Sequence, residues 1–110
     1  MGKLYKVLGQ LVPAVNNDEI VYTTPALTNS VISTITVTSL EATITASYRI
    51  AIVPSGQTLA AKHYIRYDKL IEAKDNASIT LGVTIAAGDR VYIRSTSANV
   101  AFGVFGVEIT

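Results

Sequence analysis

The chain has 110 residues, with nine Lys and Arg against eight Asp and Glu and no cysteine. That length suits one domain burying roughly 60–70% of the surface it exposes when unfolded. The absence of cysteine excludes a disulfide framework and a cysteine zinc site. The balanced charge leaves no electrostatic reason for nucleic acid or an anionic membrane to be a partner.

Only 15% of residues are charged while 49% are hydrophobic, below the roughly 25–35% charge of a well-solvated surface. Part of the surface is therefore expected to lie against other protein. No run approaches the ~20 apolar residues of a membrane-spanning helix. The opening has Lys3 and Lys6 but no continuous apolar region, so no signal peptide is expected. Tyr5 and Lys6 do not supply the Ser or Thr that N-myristoylation at Gly2 wants there.

In chain order, residues 1–17 read as an arm. Leu4, Val7, Leu8, Leu11 and Val12 would draw a helical stripe, but Gly9, Pro13 and the Asn16-Asn17 pair oppose a helix. An extended segment is expected, lying along the sheet or reaching onto a neighbour. Residues 18–110 would then be the sandwich itself. Residues 18–24 form a first strand with Ile20 and Tyr22 on one face, ended by Pro25. Residues 28–39 are β-branched almost throughout, which suits a pleated surface. Leu40, Glu41 and Ala42 lead into the next strand, and a hairpin is expected there.

Residues 43–53 alternate most strictly. Ile44, Ala46, Tyr48, Ile50 and Ile52 lie on one face, and Thr43, Thr45, Ser47 and Arg49 on the other until Ala51 and Val53. This predicts a central strand whose wet face is also covered near its end. Pro54-Ser55-Gly56 is turn chemistry. Residues 62–67 read as a strand and 68–76 as a charged loop. Residues 77–85 alternate cleanly and turn through Ala86-Ala87-Gly88-Asp89 into residues 90–95, giving a second expected hairpin. In the last strand, residues 99–109, Val100, Phe102 and Val104 share one face, and Phe105, Val107 and Ile109 the other. The change falls at Gly103 and Gly106, which suggests a bulge or a close backbone contact. Short strands at this spacing predict an all-β antiparallel β-sandwich, jelly-roll-like, with an extended N-terminal arm.

Chemistry is sparse. His63 is the lone histidine, there is no Gly-x-Ser-x-Gly nucleophile elbow, and a packing or hydrogen-bonding role is expected for it. The carboxylates Asp18, Glu19, Glu41, Asp68, Glu72, Asp75, Asp89 and Glu108 sit beside turns or loops, where solvated acids belong. No calcium-loop spacing occurs, and Asn76-Ala77-Ser78 is a sequon of the kind that arises by chance. No catalytic residue, metal ligand or cofactor is assigned. Tyr5, Tyr22, Tyr48, Tyr64, Tyr67 and Tyr92, without tryptophan, suit subunit interfaces ahead of carbohydrate platforms. Arg49, Arg66, Arg90 and Arg94 fall in strand-like segments, with a solvated face as their default setting.

Several stretches in order carry a family resemblance. These are Lys6-Val7-Leu8-Gly9-Gln10, Val21-Tyr22-Thr23-Thr24-Pro25-Ala26, Tyr48-Arg49-Ile50-Ala51-Ile52-Val53-Pro54-Ser55-Gly56 and Lys62-His63-Tyr64-Ile65. They continue as Thr80-Leu81-Gly82-Val83-Thr84-Ile85-Ala86-Ala87-Gly88-Asp89 and Phe105-Gly106-Val107-Glu108-Ile109-Thr110. The chain resembles small β-sandwich virion proteins of tailed bacteriophages, especially those of aquatic and cyanobacterial hosts. The resemblance implies a non-catalytic virion role, as a homo-oligomer made in the bacterial cytoplasm. The expectation is a homotrimeric capsid decoration (cement) protein on the outer head surface, contacting itself and the major capsid protein. Its alternative is a tail-fibre or baseplate module attaching to host polysaccharide through Tyr64, Tyr67, Arg66 and nearby carboxylates. The expected interface residues are Leu4, Tyr5, Val7, Leu8, Leu11, Val12, Phe102, Phe105 and Val107, apolar groups that one sandwich does not obviously bury.

Overall fold

The computed structural model describes residues 2–110. Its strands are β1 (Lys3–Leu11), β2 (Glu19–Thr23), β3 (Asn29–Ser39), β4 (Ala46–Val53), β5 (Tyr64–Ile71), β6 (Asn76–Ile85), β7 (Arg90–Ser95) and β8 (Val100–Ile109). A single 3-10 turn, Ala61–His63, precedes β5. One sheet runs β1-β8-β3-β6 and the other β2-β7-β4-β5, with every pair antiparallel. Each strand bonds to the one equally far from the β4–β5 connection: β4 to β5, β3 to β6, β2 to β7 and β1 to β8. This doubled ribbon rolled into two facing sheets is a jelly roll.

That topology corrects both expected hairpins. β3 and β4 lie in different sheets, as do β6 and β7, so residues 40–45 and 86–89 cross between sheets. Alternation records which face of a strand is buried and says nothing about its partner. A short turn spans the ~10 Å between packed sheets as readily as it closes a hairpin. The crossings bond to one another at either end of the sandwich. Ser39 N–H donates to Asp75 O (2.9 Å) and Leu40 N–H to Asn99 O (2.7 Å) at one end. At the other end, Thr24 N–H donates to Asp89 O (2.9 Å) and Gly88 N–H to Thr24 O (3.0 Å). The charged loop expected at 68–76 is also shorter, because β5 continues to Ile71. Two residues, Tyr67 and Asp68, oppose Arg49 alone there, and Asp68 takes a φ of 49°. This bulge hides the strand's continuation from a period-two reading.

The core is largely β-branched. Ile32, Ile35 and Val37 of β3 meet Ile50 of β4, Val91 and Ile93 of β7, and Val100, Phe102 and Val104 of β8. Each buried Val, Ile or Phe contributes about 1.5–3 kcal/mol. Tyr48 and Phe102 pack edge to face, with ring centroids 6.1 Å apart. β4 is interior to its sheet, and Ala51 and Val53 on its outward side are buried as well. The 3-10 turn contacts β4, and the burial of Ala51 and Val53 is what the apolar end of the wet face predicted.

Residues 3–11 are a strand of the sandwich rather than an appendage to it. β1 pairs with β8 from Lys3 opposite Ile109 to Leu11 opposite Phe102, so the expected arm lies along its own chain's sheet. The two sheets close tightly beside it: a Cβ on Gly9 would stand 2.1 Å from the Val21 carbonyl oxygen. β1 and β3 each carry one extra residue, Leu8 and Ser33, flanking Phe105 of β8. Gly106 sits beside these bulges, where a Cβ would come within 2.0 Å of the Val31 carbonyl oxygen. The close backbone contact expected at this glycine is therefore present. β8 itself alternates without a slip. Its inward positions after Val104 are Gly106 and Glu108, so its remaining apolar residues face outward.

Candidate functional surfaces

The outward face of the β1-β8-β3-β6 sheet carries the apolar residues that β8 does not direct inward. Tyr5 lies opposite Val107, which lies opposite Val31, and Val7 lies opposite Phe105. Tyr5 is 77% exposed and Val7 48%, while Phe105, Val107 and Val31 are half-buried. Farther along the same face a shallow groove of about 520 Å³ is lined by Gln10, Val12, Thr36, Thr38, Ala101 and Gly103 among others. The Phe105 ring lies beside it, since a Cβ on Gly103 would meet the ring at 2.9 Å. One face thus offers a protruding aromatic ridge and a hollow. β1 is its edge strand, with backbone groups free on one side.

Of the nine residues expected at an interface, Tyr5, Val7, Phe105 and Val107 come together on this face. Val12 is exposed beside the hollow. Phe102 is a correction: it is 2% exposed and belongs to the core. Leu8 and Leu11 pack against that core from β1. Leu4 lies opposite Glu108, on the inward side of its sheet, and is exposed because β1 is the edge. Pattern could not separate these residues, because on an edge strand both faces carry apolar side chains.

Glu108 occupies an inward position that alternation would give to an apolar residue, and it is 9% exposed. Three groups account for it. The Tyr22 hydroxyl donates to its Oε2 (2.7 Å), and the Lys6 ammonium lies 3.1 Å from its Oε1. Tyr22 Oη is also 2.7 Å from Ser30 Oγ. The phenolic proton is directed at the carboxylate, so Ser30 donates in that pair. The Tyr22 hydrogen bond, aided by Lys6, holds the Glu108 carboxyl below its usual range against the opposing effect of burial. Burial, reinforced by the Glu108 charge, pushes the Tyr22 phenol up to about 12. The cluster ties β1, β2, β3 and β8 together across both sheets. Nothing in the sequence pattern marks it.

The outward face of the β2-β7-β4-β5 sheet is different in chemistry. Arg49 Nε donates to Asp68 Oδ1 (2.6 Å) and Arg49 Nη2 to Asp68 Oδ2 (3.3 Å). The same guanidinium lies 4.2 Å from the centroid of the Tyr67 ring and 5.9 Å from that of Tyr64. The two rings meet edge to face at 5.0 Å. Asp68 binds Arg49 most strongly through the hydrogen bond, which lowers its pKa and raises that of Arg49. Beside this pair, Arg94 Nη1 donates to Asp18 Oδ2 (3.3 Å). Arg90 donates to the carbonyls of Pro54 and Gln57. Arg66 was the expected partner of Tyr64 and Tyr67, but it lies opposite buried Ile50 and donates to the Ile65 carbonyl (2.7 Å). The bulge at Asp68 brings Arg49 to the rings instead.

His63 is a satisfied structural histidine. Its Nδ1 accepts from Ala60 N–H (2.9 Å), which leaves Nε2 to donate to Gln57 Oε1 (3.0 Å). It anchors the segment after β4 and faces no carboxylate.

In sequence, no protein-family model and no curated protein matches this chain. In structure it is similar to a chain of the infectious bursal disease virus Gx strain structure. The TM-score is 0.51 at 10% identity, covering 97% of this chain and 30% of the viral one. This chain thus spans less than a third of that protein's length, and the likeness is one of fold. It is also similar to the Agl-KA catalytic domain, with TM-score 0.40 at 14% identity over 89% of this chain and 20% of that one. That score is too low to carry an argument.

Proposed function

We propose that this protein is a structural component of a bacteriophage virion, a decoration (cement) protein that associates with copies of itself and with the capsid surface. The carrying observation is the exposed apolar face across β1, β8 and β3, with Tyr5, Val7, Phe105 and Val107 in adjoining rows. Contiguous apolar surface of this kind marks protein contact. A ridge and a hollow on one face provide the complementarity that copies of one chain need. The jelly-roll fold, shared with a chain from a virus structure, is compatible with that role. Its mechanism is added interface: apolar area buried between subunits holds the lattice against internal pressure. The work is done by contact rather than catalysis.

Light scattering of the purified protein tests the association. A homotrimer is expected, and Tyr5→Glu with Val7→Lys, both on exposed positions, should give folded monomers. A monomeric wild type, or variants that still assemble, would overturn the reading of this face. Copy number in virions separates locations: a value comparable with the major capsid protein means the head. A tail-fibre or baseplate position is the second reading, favoured by the aromatic and guanidinium cluster on the opposite sheet, and a far lower copy number would establish it.

A further inference from the structure

We infer that the outward face of β4 and β5 holds a binding site for a neutral pyranoside, with Tyr67 as its stacking platform and Asp68 as its hydroxyl acceptor. A groove of about 580 Å³ opens there, lined by Leu59, Ala60, Ala61, Tyr64 and Tyr67. That size lies within the ~300–1,000 Å³ of small-molecule sites. Ala60 and Ala61 leave its far wall low, while the two tyrosines form the near wall. Tyr67 is 60% exposed although it is braced by Arg49 and by the edge of its contact with Tyr64. A ring braced by Arg49 yet still largely exposed has already lost the freedom that binding would otherwise remove.

The chemistry selects the ligand. A pyranose presents a C–H-rich face that packs on the electron-rich face of an aromatic ring, and hydroxyl groups around its rim. Asp68, fixed at its left-handed backbone position by the Arg49 fork, keeps half its side-chain surface open (51%). Its remaining lone pairs are available to a rim hydroxyl, although Asp68 lines the neighbouring polar hollow rather than the groove itself. The Arg49–Asp68 pair also walls a small polar hollow of about 60 Å³, shared with Ser47, Arg94 and Thr96, which offers further hydroxyl partners. Both arginines are already paired with carboxylates, Arg49 with Asp68 and Arg94 with Asp18. Neither arginine is therefore free for a phosphate or a sugar acid, and an uncharged ring is the ligand expected on this platform. The inference deepens the second, tail-module reading and stands apart from the self-association reading, because it uses the opposite sheet and the protein alone.

Saturation-transfer NMR of the full chain with maltotriose, methyl β-galactopyranoside and, for contrast, sialic acid tests it. Millimolar binding of a neutral sugar is expected, with transfer strongest to ring C–H protons, and none to sialic acid. Tyr67→Ala should weaken binding about tenfold or more, the scale of one lost stacking contact. Ala61→Gln should do the same by filling the groove while leaving both rings in place, and circular dichroism checks that each variant folds. Absence of transfer to either neutral sugar overturns the inference. So does binding unchanged in both variants, or a preference for sialic acid. Loss of sugar binding with oligomerisation intact would leave the proposed structural role standing.

Discussion

Replacing Tyr22 with Phe removes one oxygen and little else. The ring is 7% exposed and stays in its pocket, so no cavity opens. Lost are the 2.7 Å hydrogen bond to the Glu108 carboxylate and the 2.7 Å bond with Ser30. A hydrogen bond to a charged group is worth ~1.5–3 kcal/mol, and the loss strands part of a carboxylate that is largely withdrawn from water. We therefore expect about 2 kcal/mol of destabilisation at neutral pH, which lowers Tm by roughly 8 °C in a chain of this size. The pH dependence is the sharper test. Glu108 has its pKa depressed in the fold, so its contribution is present above its unfolded value of 4.5 and is lost as pH falls through the lower folded value. Once protonated, the carboxyl accepts a neutral hydrogen bond of about half the strength, so the penalty of Tyr22→Phe should fall to about 1 kcal/mol in acid. Urea unfolding of both proteins along a pH series measures this. A penalty below about 0.5 kcal/mol at neutral pH, or one that is flat with pH, would refute the assignment of Tyr22 as the donor that makes Glu108 tolerable.

Gly9→Ala should cost about 1–3 kcal/mol, because its Cβ would collide with the rigid Val21 carbonyl where the sheets close; the urea midpoint reads it. Ile35→Ala, at a fully buried site of β3, should cost about 2–5 kcal/mol by the same assay. Tyr22 and Tyr48 both have pKa values raised by burial, so they favour the fold fully below the unfolded value of 10.0. Stability should fall as pH climbs from there toward about 12, in step with phenolate absorbance. Deleting residues 1–15 should unfold or aggregate the protein, since it strips β1 from β8 and bares the core beneath Leu8 and Leu11. A folded, soluble deletion product by circular dichroism would show that β1 is dispensable.

Strand positions were the most legible part of this protein. The alternation in residues 43–53 and 77–85 is a local consequence of one wet and one dry face. It survives throughout β6 and in β4 from Ala46 onward, whereas residues 43–45 precede the strand and Ile44, expected on the buried face, is exposed. Gly106 could be recognised as a close approach, because a glycine amid β-branched residues has few other uses. The exposed apolar face was half legible: Tyr5, Val7, Phe105 and Val107 belong together, but Phe102 was indistinguishable from them until its side was known.

By itself, then, the sequence determined an antiparallel β-sandwich, because period-two burial and turn chemistry act over a few neighbouring residues. Only the tertiary structure decided which strands pair, that β3–β4 and β6–β7 cross between sheets, and that residues 3–11 close an edge of the sandwich. The same holds for both polar clusters. Tyr22 reaches Glu108 across 86 positions, and Arg49 meets Tyr67 and Asp68 because a bulge turns β5. Such contacts depend on register and bulges, which are set by the packing of distant segments and leave no trace in local periodicity.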